Sequence, residues 1–184
     1  MQSDNMDRSD AELVAGARQG DLDAFAQLVE RYRARALRLA YGIAGDDAED
    51  AVQDAFVKAF RSLSTFRADA ALKPWLFTIV ANEARNRRRT TSRRARLELR
   101  VRGAPSETEG SDEAVIRREE RQHLLDAVAT LPEHAREVVA LRYFAGLSEQ
   151  ETAEVLAVPR GTAKSRLSRA LDALRVALAD EVTS

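Results

Sequence analysis

Residues 148–167, which read SEQETAEVLAVPRGTAKSRL, decide the fold of the C-terminal half of the chain. Ser148 with Glu151 three residues later forms a capping box, which predicts the start of a short helix that ends near residue 157. A proline and a glycine then mark a tight turn before a last helix over residues 162–179. A short capped helix, a turn of a few residues and a longer helix together describe a helix-turn-helix.

The last helix has one apolar and one polar face. At about 100° per residue, five small or apolar side chains fall within about 80° of one another: Ala163, Leu167, Leu171, Leu174 and Leu178. The opposite face and its flank carry Lys164, Ser165, Ser168 and Arg169. Such side chains can reach base edges and phosphates in a major groove. An ordinary solvated amphipathic helix shows the same pattern, so this face alone leaves both interpretations open.

Helices are also predicted throughout the rest of the chain, from capping residues and from apolar residues at helical spacing. Two more helices precede the helix-turn-helix, over residues 112–130 and 131–146. In the N-terminal half the predicted starts are Ser9 with Glu12 three residues on, Asp21, Asp46-Asp47 and Pro74, and the predicted breaks are Gly20, Gly42 and Gly45.

The distribution of charge predicts the domain organisation. Residues 85–102 hold nine arginines and one acid, whereas residues 103–114 hold four acids, two glycines and one proline. Such a composition is typical of a flexible linker. We therefore predict an all-α protein, with two small helical domains joined by a flexible linker and the helix-turn-helix in the C-terminal domain. The predicted segments are a disordered tail (1–9), a first domain (10–96), the linker (97–114) and a second domain (115–180).

The composition excludes several classes of function. The 184 residues contain no cysteine and two isolated histidines, so no disulfide, thiol nucleophile, metal site or cofactor is expected. No apolar run approaches the roughly 20 residues of a membrane span, and the polar N-terminus does not resemble a signal peptide, so we expect a soluble, cytoplasmic protein without membrane insertion. The formal net charge of −1 is uninformative, because acidic and basic residues are concentrated in separate segments.

Two of these charged segments indicate binding surfaces. Acids crowd the start of the third helix, at residues 46–54, and no catalytic constellation accompanies them, so they favour docking of a basic protein partner. The arginine tract that starts at Arg85 follows Trp75, Phe77 and Asn82, a set that suits phosphates and an unstacked base. The alternative is that Trp75 and Phe77 are simply core residues.

The order of these parts resembles a known family. Residues 46–56 (DDAEDAVQDAF) are similar to the region 2 motif of bacterial RNA polymerase sigma factors, and residues 74–82 (PWLFTIVAN) to the stretch that follows it. Residues 131–142, 146–153 and 161–167 resemble region 4 and its recognition helix. The chain thus resembles an extracytoplasmic-function (group 4) sigma factor of the sigma-70 family, over about residues 10–178.

The resemblance implies a role for each group of residues. Contacts with core RNA polymerase, through the clamp helices of its largest subunit, fall on Asp46, Asp47, Glu49, Asp50, Gln53 and Asp54; the beta flap is a further expected contact. The minus-ten DNA contacts fall on Phe66, Lys73, Trp75, Asn82, Arg85, Arg87 and Arg88. The minus-thirty-five contacts fall on Arg160, Thr162, Lys164, Ser165, Ser168 and Arg169. An anti-sigma factor is a further partner common in the family.

We therefore expect a sigma factor that binds core polymerase, recognises both promoter elements and stabilises melted DNA, and that is not itself an enzyme. Two alternatives remain at this point. One is a helix-turn-helix repressor or activator that binds duplex DNA without polymerase. The other is a nucleic-acid-processing enzyme, for which the sequence offers no metal or acid–base constellation.

Overall fold

The computed structural model describes residues 8–67, 70–98, 125 and 127–182, and within them it is all-α, as predicted. Residues 127–130 are helical, two 3-10 turns span Gly45–Asp47 and Leu63–Thr65, and a π-helical turn spans Ala140–Phe144. The helices are α1 (Asp10–Arg18), α2 (Leu22–Ala44), α3 (Ala48–Ser62), α4 (Leu72–Glu98), α5 (Glu133–Val139), α6 (Glu149–Val155) and α7 (Arg160–Val182).

Several predicted segments lie outside the described residues. These are residues 1–7 of the predicted tail, residues 99–114 of the predicted linker, and the first part of the helix predicted from residue 112. The arginine-rich helix α4 continues through residues 97 and 98, which the sequence had assigned to the linker.

The capping boxes predicted at Ser9 and Ser148 are confirmed, whereas α4 begins at Leu72, two residues before the predicted start at Pro74. Ser9 and Ser148 each accept a hydrogen bond from the backbone N–H three residues on, and the carboxylates of Glu12 and Glu151 each accept one from the backbone N–H of the cap residue. Asp21 caps α2 by accepting from the Ala24 N–H. These bonds satisfy N–H groups that the first turn of a helix leaves without partners.

The predicted break at Gly42 is wrong. Helix α2 runs through Gly42, which is buried, and ends at Gly45, whose φ of +62° suits glycine. Gly42 is needed for a close approach instead: a Cβ there would lie 2.7 Å from Phe144 Cε2 and 3.0 Å from Ala140 Cβ. The missing side chain makes room for an aromatic ring from the second half of the chain.

The first helical region, α1 to α4, has a core of aliphatic, small and aromatic side chains in which Phe77 is fully buried. The core interpretation of Phe77 is therefore the correct one, and its ring is not available to a base. In the second region the predicted stripe on α7 faces inward, with Ala163 and Leu174 buried and Leu167 partly buried against the core.

Arg136 fixes the start of α5 from inside the second region. Its buried guanidinium donates hydrogen bonds to the carbonyls of Val128, Ala129 and Leu131, which end the preceding helical segment. Burial, with the nearby cation Arg88, lowers the pKa of Arg136 to about 10, so the group stays charged at neutral pH.

The two helical regions pack directly against each other. Buried residues of the second region, including Leu141 and Leu147, belong to the same apolar cluster as the core of α1 to α4. Arg38 on α2 donates to the carbonyl oxygen of Phe144 at 3.0 Å, beside the Phe144 ring that covers Gly42. Apolar contact and a hydrogen bond thus join α2 to the turn that follows α5.

Candidate nucleic-acid interface

Helices α6 and α7 form the predicted helix-turn-helix. Ala157, with φ of +51°, ends α6 in the left-handed conformation, and the Val158 N–H bonds back to the Ala153 carbonyl at 3.0 Å. The small side chain of Ala153 is buried in the region's interior. The Glu149 carboxylate accepts from Arg160 Nε at 2.6 Å, which ties the start of α6 to the start of α7.

The outward face of α7 presents the side chains that the sequence predicts for base and phosphate contact. Lys164, Ser165, Ser168 and Arg169 are exposed, and Thr162 is half-buried. The Arg160 side chain is 65% exposed beyond its bond to Glu149, and this hydrogen bond from Arg160 lowers the Glu149 pKa. Arg169 Nε donates to the Ser165 carbonyl oxygen at 3.2 Å, which leaves the end of its guanidinium directed away from the backbone.

The acidic surface of α3 meets a polar edge of α4. The two helices run antiparallel, so residues later in α4 contact residues earlier in α3. Lys58 pairs with Glu83 at 2.8 Å, and Thr91 donates to Asp47 at 2.5 Å. Asp46 and Glu49 are also exposed.

Arg87 occupies the centre of this edge and contacts two of the acids. Its guanidinium lies 3.2 Å from Asp50 and 2.5 Å from Asp54, and the hydrogen bond to Asp54 raises the Arg87 pKa above its ordinary value. The sequence predicts Asp50 and Asp54 as polymerase contacts and Arg87 as a DNA contact. The structure brings these two predicted surfaces together at one residue.

The other described arginines at the start of the tract also have partners within the chain. Arg88 donates to the Ile43 carbonyl oxygen at 3.0 Å, at the end of α2. Arg85 lies 2.5 Å from Glu137, and Arg89 lies 3.0 Å from Glu133. Burial raises the Glu137 pKa, and the Arg85 guanidinium offsets part of that rise.

The aromatic and polar residues predicted at the minus-ten site form two contacts. Phe66 is buried and packs against the half-buried Trp75, with ring centroids 4.8 Å apart. The Asn82 side-chain oxygen accepts from Arg85 at 2.5 Å. Of these three residues, Trp75 and Asn82 are partly exposed and remain accessible in this conformation. The buried Phe66 ring supports Trp75.

The structure adds an apolar groove that sequence reasoning missed. It encloses about 800 Å³ between α2 and α3, and exposed Leu22, Val57 and Phe60 lie beside the acidic surface. Two predicted polymerase contacts, Glu49 and Gln53, line it. A signal was present in α3, whose apolar residues, Val57 included, cover an arc of about 240°, wider than the roughly 100° that one packing face needs.

Other kinds of site lack support where the structure can be inspected. Among the described residues, no cluster of three or more histidine, cysteine or acidic side chains is placed to hold a metal ion. No helix in the described part of the chain is long and apolar enough to cross a membrane.

Family comparisons agree with this arrangement of helices. The family model for Sigma-70 region 2 matches residues 28–94, which span most of α2 to α4. The model for Sigma-70, region 4 matches residues 121–174, which include the helix-turn-helix. The ECF RNA polymerase sigma-E factor of Escherichia coli is 35% identical over 176 residues, 90% of this chain and 92% of that protein.

The chain belongs to the extracytoplasmic-function sigma factors of the sigma-70 family. This ECF family consists of regulatory DNA-recognition proteins and not of enzymes. A second relative, the RNA polymerase sigma-H factor of Pseudomonas aeruginosa, is 34% identical over 92% of this chain and 93% of that protein.

Two solved structures share the fold. CnrH, in a complex with the cytosolic domain of CnrY, aligns over 93% of this chain and 97% of that chain, with 28% identity and a TM-score of 0.74. The sigma factor RpoE from Bartonella quintana, in a complex with the anti-sigma factor NepR, aligns over 84% of this chain and 96% of that chain, with 29% identity and a TM-score of 0.63.

Proposed function

We propose that this ECF sigma factor binds core RNA polymerase and directs it to promoters by recognising a minus-thirty-five and a minus-ten element and stabilising melted DNA. The observation that carries the proposal is the pairing of two surfaces in one chain. An exposed basic face lies on the second helix of a helix-turn-helix, and an acidic surface with an adjoining apolar groove lies on α2 and α3.

The first surface suits duplex DNA. Helix α7 is held by its buried stripe, so its exposed face can enter a major groove as a rigid unit. Lys164 and Arg169 offer charge-assisted donors to phosphates or to guanine edges, and Ser165 and Ser168 can donate to or accept from either. Arg160, held by Glu149 at the start of α7, adds a cation beside the backbone.

The second surface suits a basic, amphipathic protein helix. The side chains of Leu22, Val57 and Phe60 are 66%, 45% and 42% exposed. Contact of this apolar surface with water costs free energy, which a partner that covers the groove would recover. The acids of α3 border the groove, so a helix with apolar residues on one face and basic residues along its edge complements both parts. The clamp helices of core polymerase are the occupant that the family implies.

The third part of the proposal concerns melted minus-ten DNA. Trp75 is supported by Phe66, and Asn82 lies two turns along α4, so an unstacked base has an aromatic edge and an amide within one surface. Lys73 and the arginines at the start of the tract supply cations for the phosphates of the same strand.

An anti-sigma partner is part of the proposed function. Its support is the structural similarity to a sigma factor solved in a complex with the anti-sigma factor NepR. CnrH, the other structural neighbour, is likewise solved with a protein partner, the cytosolic domain of CnrY. The exposed groove on α2 and α3 offers such a partner an apolar surface.

Run-off transcription with purified core polymerase on a library of promoter fragments tests the proposal. Transcripts with defined start points and a shared pair of upstream elements are the expected result. Tight binding of the purified chain alone to duplex DNA, without transcription, would instead establish a repressor or activator.

Charge reversal tests the polymerase surface separately. Asp50→Lys with Asp54→Lys places two cations where a basic partner docks, so retention of core polymerase in a pull-down should fall at least tenfold. Glu154→Lys with Asp172→Lys makes the same change of charge at two exposed acids away from α2 and α3 and should leave retention unchanged. Equal retention by both double variants would refute the assignment of α3.

A further inference from the structure

An ion pair joins the first turns of the two helices of the helix-turn-helix. Glu149 is the first residue of α6, and Arg160 is the first residue of α7. The Glu149 carboxylate accepts from Arg160 Nε at 2.6 Å, and the two side chains are 30% and 65% exposed. The carboxylate is therefore the more enclosed partner, and most of the arginine side chain stays open to a ligand.

Arg160 points in a different direction from the outward face of α7. At about 100° per residue, Arg160 lies about 60° from Ala163, on the side of the buried stripe, whereas Ser165 and Arg169 lie about 200° and 240° from it. Arg160 thus projects toward the start of α6, at one flank of the motif. The first helix of a helix-turn-helix crosses the DNA backbone, so a cation at this flank meets phosphates and not base edges.

The bond to Glu149 leaves the outer edge of the Arg160 guanidinium available. A guanidinium has five N–H donors, and Glu149 takes the one on Nε. Within the described part of the chain, no other acceptor bonds this guanidinium. The four donors on its two Nη atoms form the fork that binds a phosphate with two parallel hydrogen bonds.

Lys164 is a second cation at the same flank. It follows Arg160 by four residues, so the two side chains are neighbours on α7, and their like charges repel each other. The hydrogen bond from Arg160, together with the charges of Arg160, Lys164 and Arg142, lowers the pKa of Glu149. The carboxylate is therefore ionised at neutral pH and offsets the repulsion between the two cations of α7.

We propose that Glu149 is a positioning residue for DNA, which holds Arg160, with Lys164 beside it, where the two cations bind a phosphate at the edge of the minus-thirty-five element. The inference rests on the proposed function, because it takes α7 as the helix that enters the major groove. Phosphate contacts fix the register of a protein on the duplex and carry no sequence information directly. Glu149 thus acts on affinity and not on the choice of base.

A carboxylate at this place also repels the phosphate, so two effects of opposite sign compete. With Arg160 between them, the two anions are about 8 Å apart, close to one Debye length, and their repulsion in water weakens binding by only about 1.5-fold. Immobilising a long side chain on binding weakens it by about twofold to tenfold. Because Glu149 orders Arg160 before DNA arrives, the positioning effect is the larger one.

The sign of the change in affinity therefore tests the proposal. Fluorescence anisotropy measures binding of a labelled promoter duplex, selected by run-off transcription, to the chain assembled with core polymerase. Glu149→Ala should weaken binding about threefold, although it removes a negative charge. Arg160→Ala should weaken binding about fivefold and reduce the slope of log affinity against log salt by about 0.9, because one phosphate contact is lost.

Asp172→Ala is the matched control. It removes a carboxylate from another ion pair on α7, in which Asp172 lies 2.6 Å from Arg175. The loss of charge is the same as in Glu149→Ala, but no proposed phosphate contact depends on it. Binding of the duplex should therefore stay unchanged or become slightly tighter.

The double variant Glu149→Ala with Arg160→Ala separates positioning from a merely structural role. If Glu149 acts through Arg160, the double variant binds at least as tightly as Arg160→Ala alone, since only the repulsion has been removed. If Glu149 only stabilises the motif, it weakens binding by a further threefold. That further loss, or a Glu149→Ala variant that binds as tightly as the Asp172→Ala control, would overturn the inference.

Run-off transcription by the unsubstituted chain distinguishes this outcome from failure of the proposed function. A chain that supports transcription, but whose promoter affinity does not fall in Glu149→Ala, refutes the positioning role alone. A chain that supports no transcription refutes the proposed function and the positioning role with it.

Discussion

The substitution Gly42→Ala tests the contact between the two regions with a single methyl group. Carbon atoms in contact lie about 3.5–4.0 Å apart, whereas the new Cβ would lie 2.7 Å from Phe144 Cε2 and 3.0 Å from Ala140 Cβ. The Phe144 ring must therefore shift by about 1 Å or leave its place over α2. Overpacking of this kind costs about 1–3 kcal/mol.

The same substitution favours helix α2 taken by itself. Alanine in a helix interior is more stable than glycine by about 1 kcal/mol, because the unfolded chain loses less conformational freedom. The first region should therefore keep its helical content and its stability, while the equilibrium between closed and separated regions shifts by about 5-fold to 150-fold toward separation.

Two dyes, attached to cysteines introduced by Ser64→Cys and Val176→Cys at exposed positions of a chain that has no cysteine of its own, give the readout through energy transfer, and circular dichroism checks the helical content. Gly42→Ala should lower the transfer efficiency, whereas Gly161→Ala, at a helical glycine whose Cβ would meet nothing within 4 Å, should not. An unchanged transfer efficiency in Gly42→Ala, with unchanged helical content, would show that Phe144 does not hold the regions together.

Three further predictions concern single residues. Phe60→Ser should weaken binding of core polymerase about tenfold in a pull-down titration, because the exposed ring lines the groove. Arg169→Ala should lower transcription from a cognate promoter about tenfold to a hundredfold while leaving core binding unchanged, because one charged contact to DNA is lost. Glu151→Gln should cost about 1 kcal/mol in chemical denaturation at pH 7, because the amide can still close the capping box but loses the ion pair with Lys73 and the favourable interaction with the helix N-terminus. Burial raises the Glu151 pKa, but the hydrogen bonds from Ser148 and Lys73 outweigh this effect and leave the pKa lowered. The difference in the free energy of unfolding between the variant and the unsubstituted chain should therefore shrink below about pH 4.3, where the carboxylate becomes protonated.

The first two of these predictions each have a matched comparison. Tyr143→Ser changes an aromatic residue that is 60% exposed outside the groove and should retain core polymerase. Arg175→Ala, further along α7 and paired with Asp172, should leave promoter activity intact. If Arg175→Ala lowered transcription as much as Arg169→Ala does, the charge of α7 would matter in general and the position of Arg169 would not. If Glu151→Gln were still less stable than the unsubstituted chain at pH 3, the loss of stability could not be assigned to the charged carboxylate.

The helices and their inward faces could be read from the sequence because they depend on residues close together in the chain. The caps at Ser9, Asp21 and Ser148 each involve a partner three residues away, and the stripe on α7 follows from a fixed rotation per residue. The exposed face of α7 is the complement of that stripe. The all-α class and the helix-turn-helix were therefore predictable before any contact between helices was known.

The predictions that were wrong or missing concern contacts between residues that are far apart in the chain or on different sides of a helix. Gly42 resembles a helix break when only its neighbours are considered, and its role appears when Phe144, about a hundred residues away, is placed over it. Phe77 and Trp75 are nearly adjacent in sequence, but one is fully buried and the other half-buried because α4 presents different sides to the core.

The sequence by itself determined which segments are helical, which face of each is apolar, and where acids and bases are concentrated. Only the tertiary structure decided which of those charges face each other. The antiparallel packing of α3 on α4 places Arg87 between Asp50 and Asp54, and the packing of the two regions places Glu137 on Arg85. The physical reason is that local periodicity orients a side chain relative to its own helix, whereas an ion pair depends on how separate helices are brought together by the burial of their apolar faces.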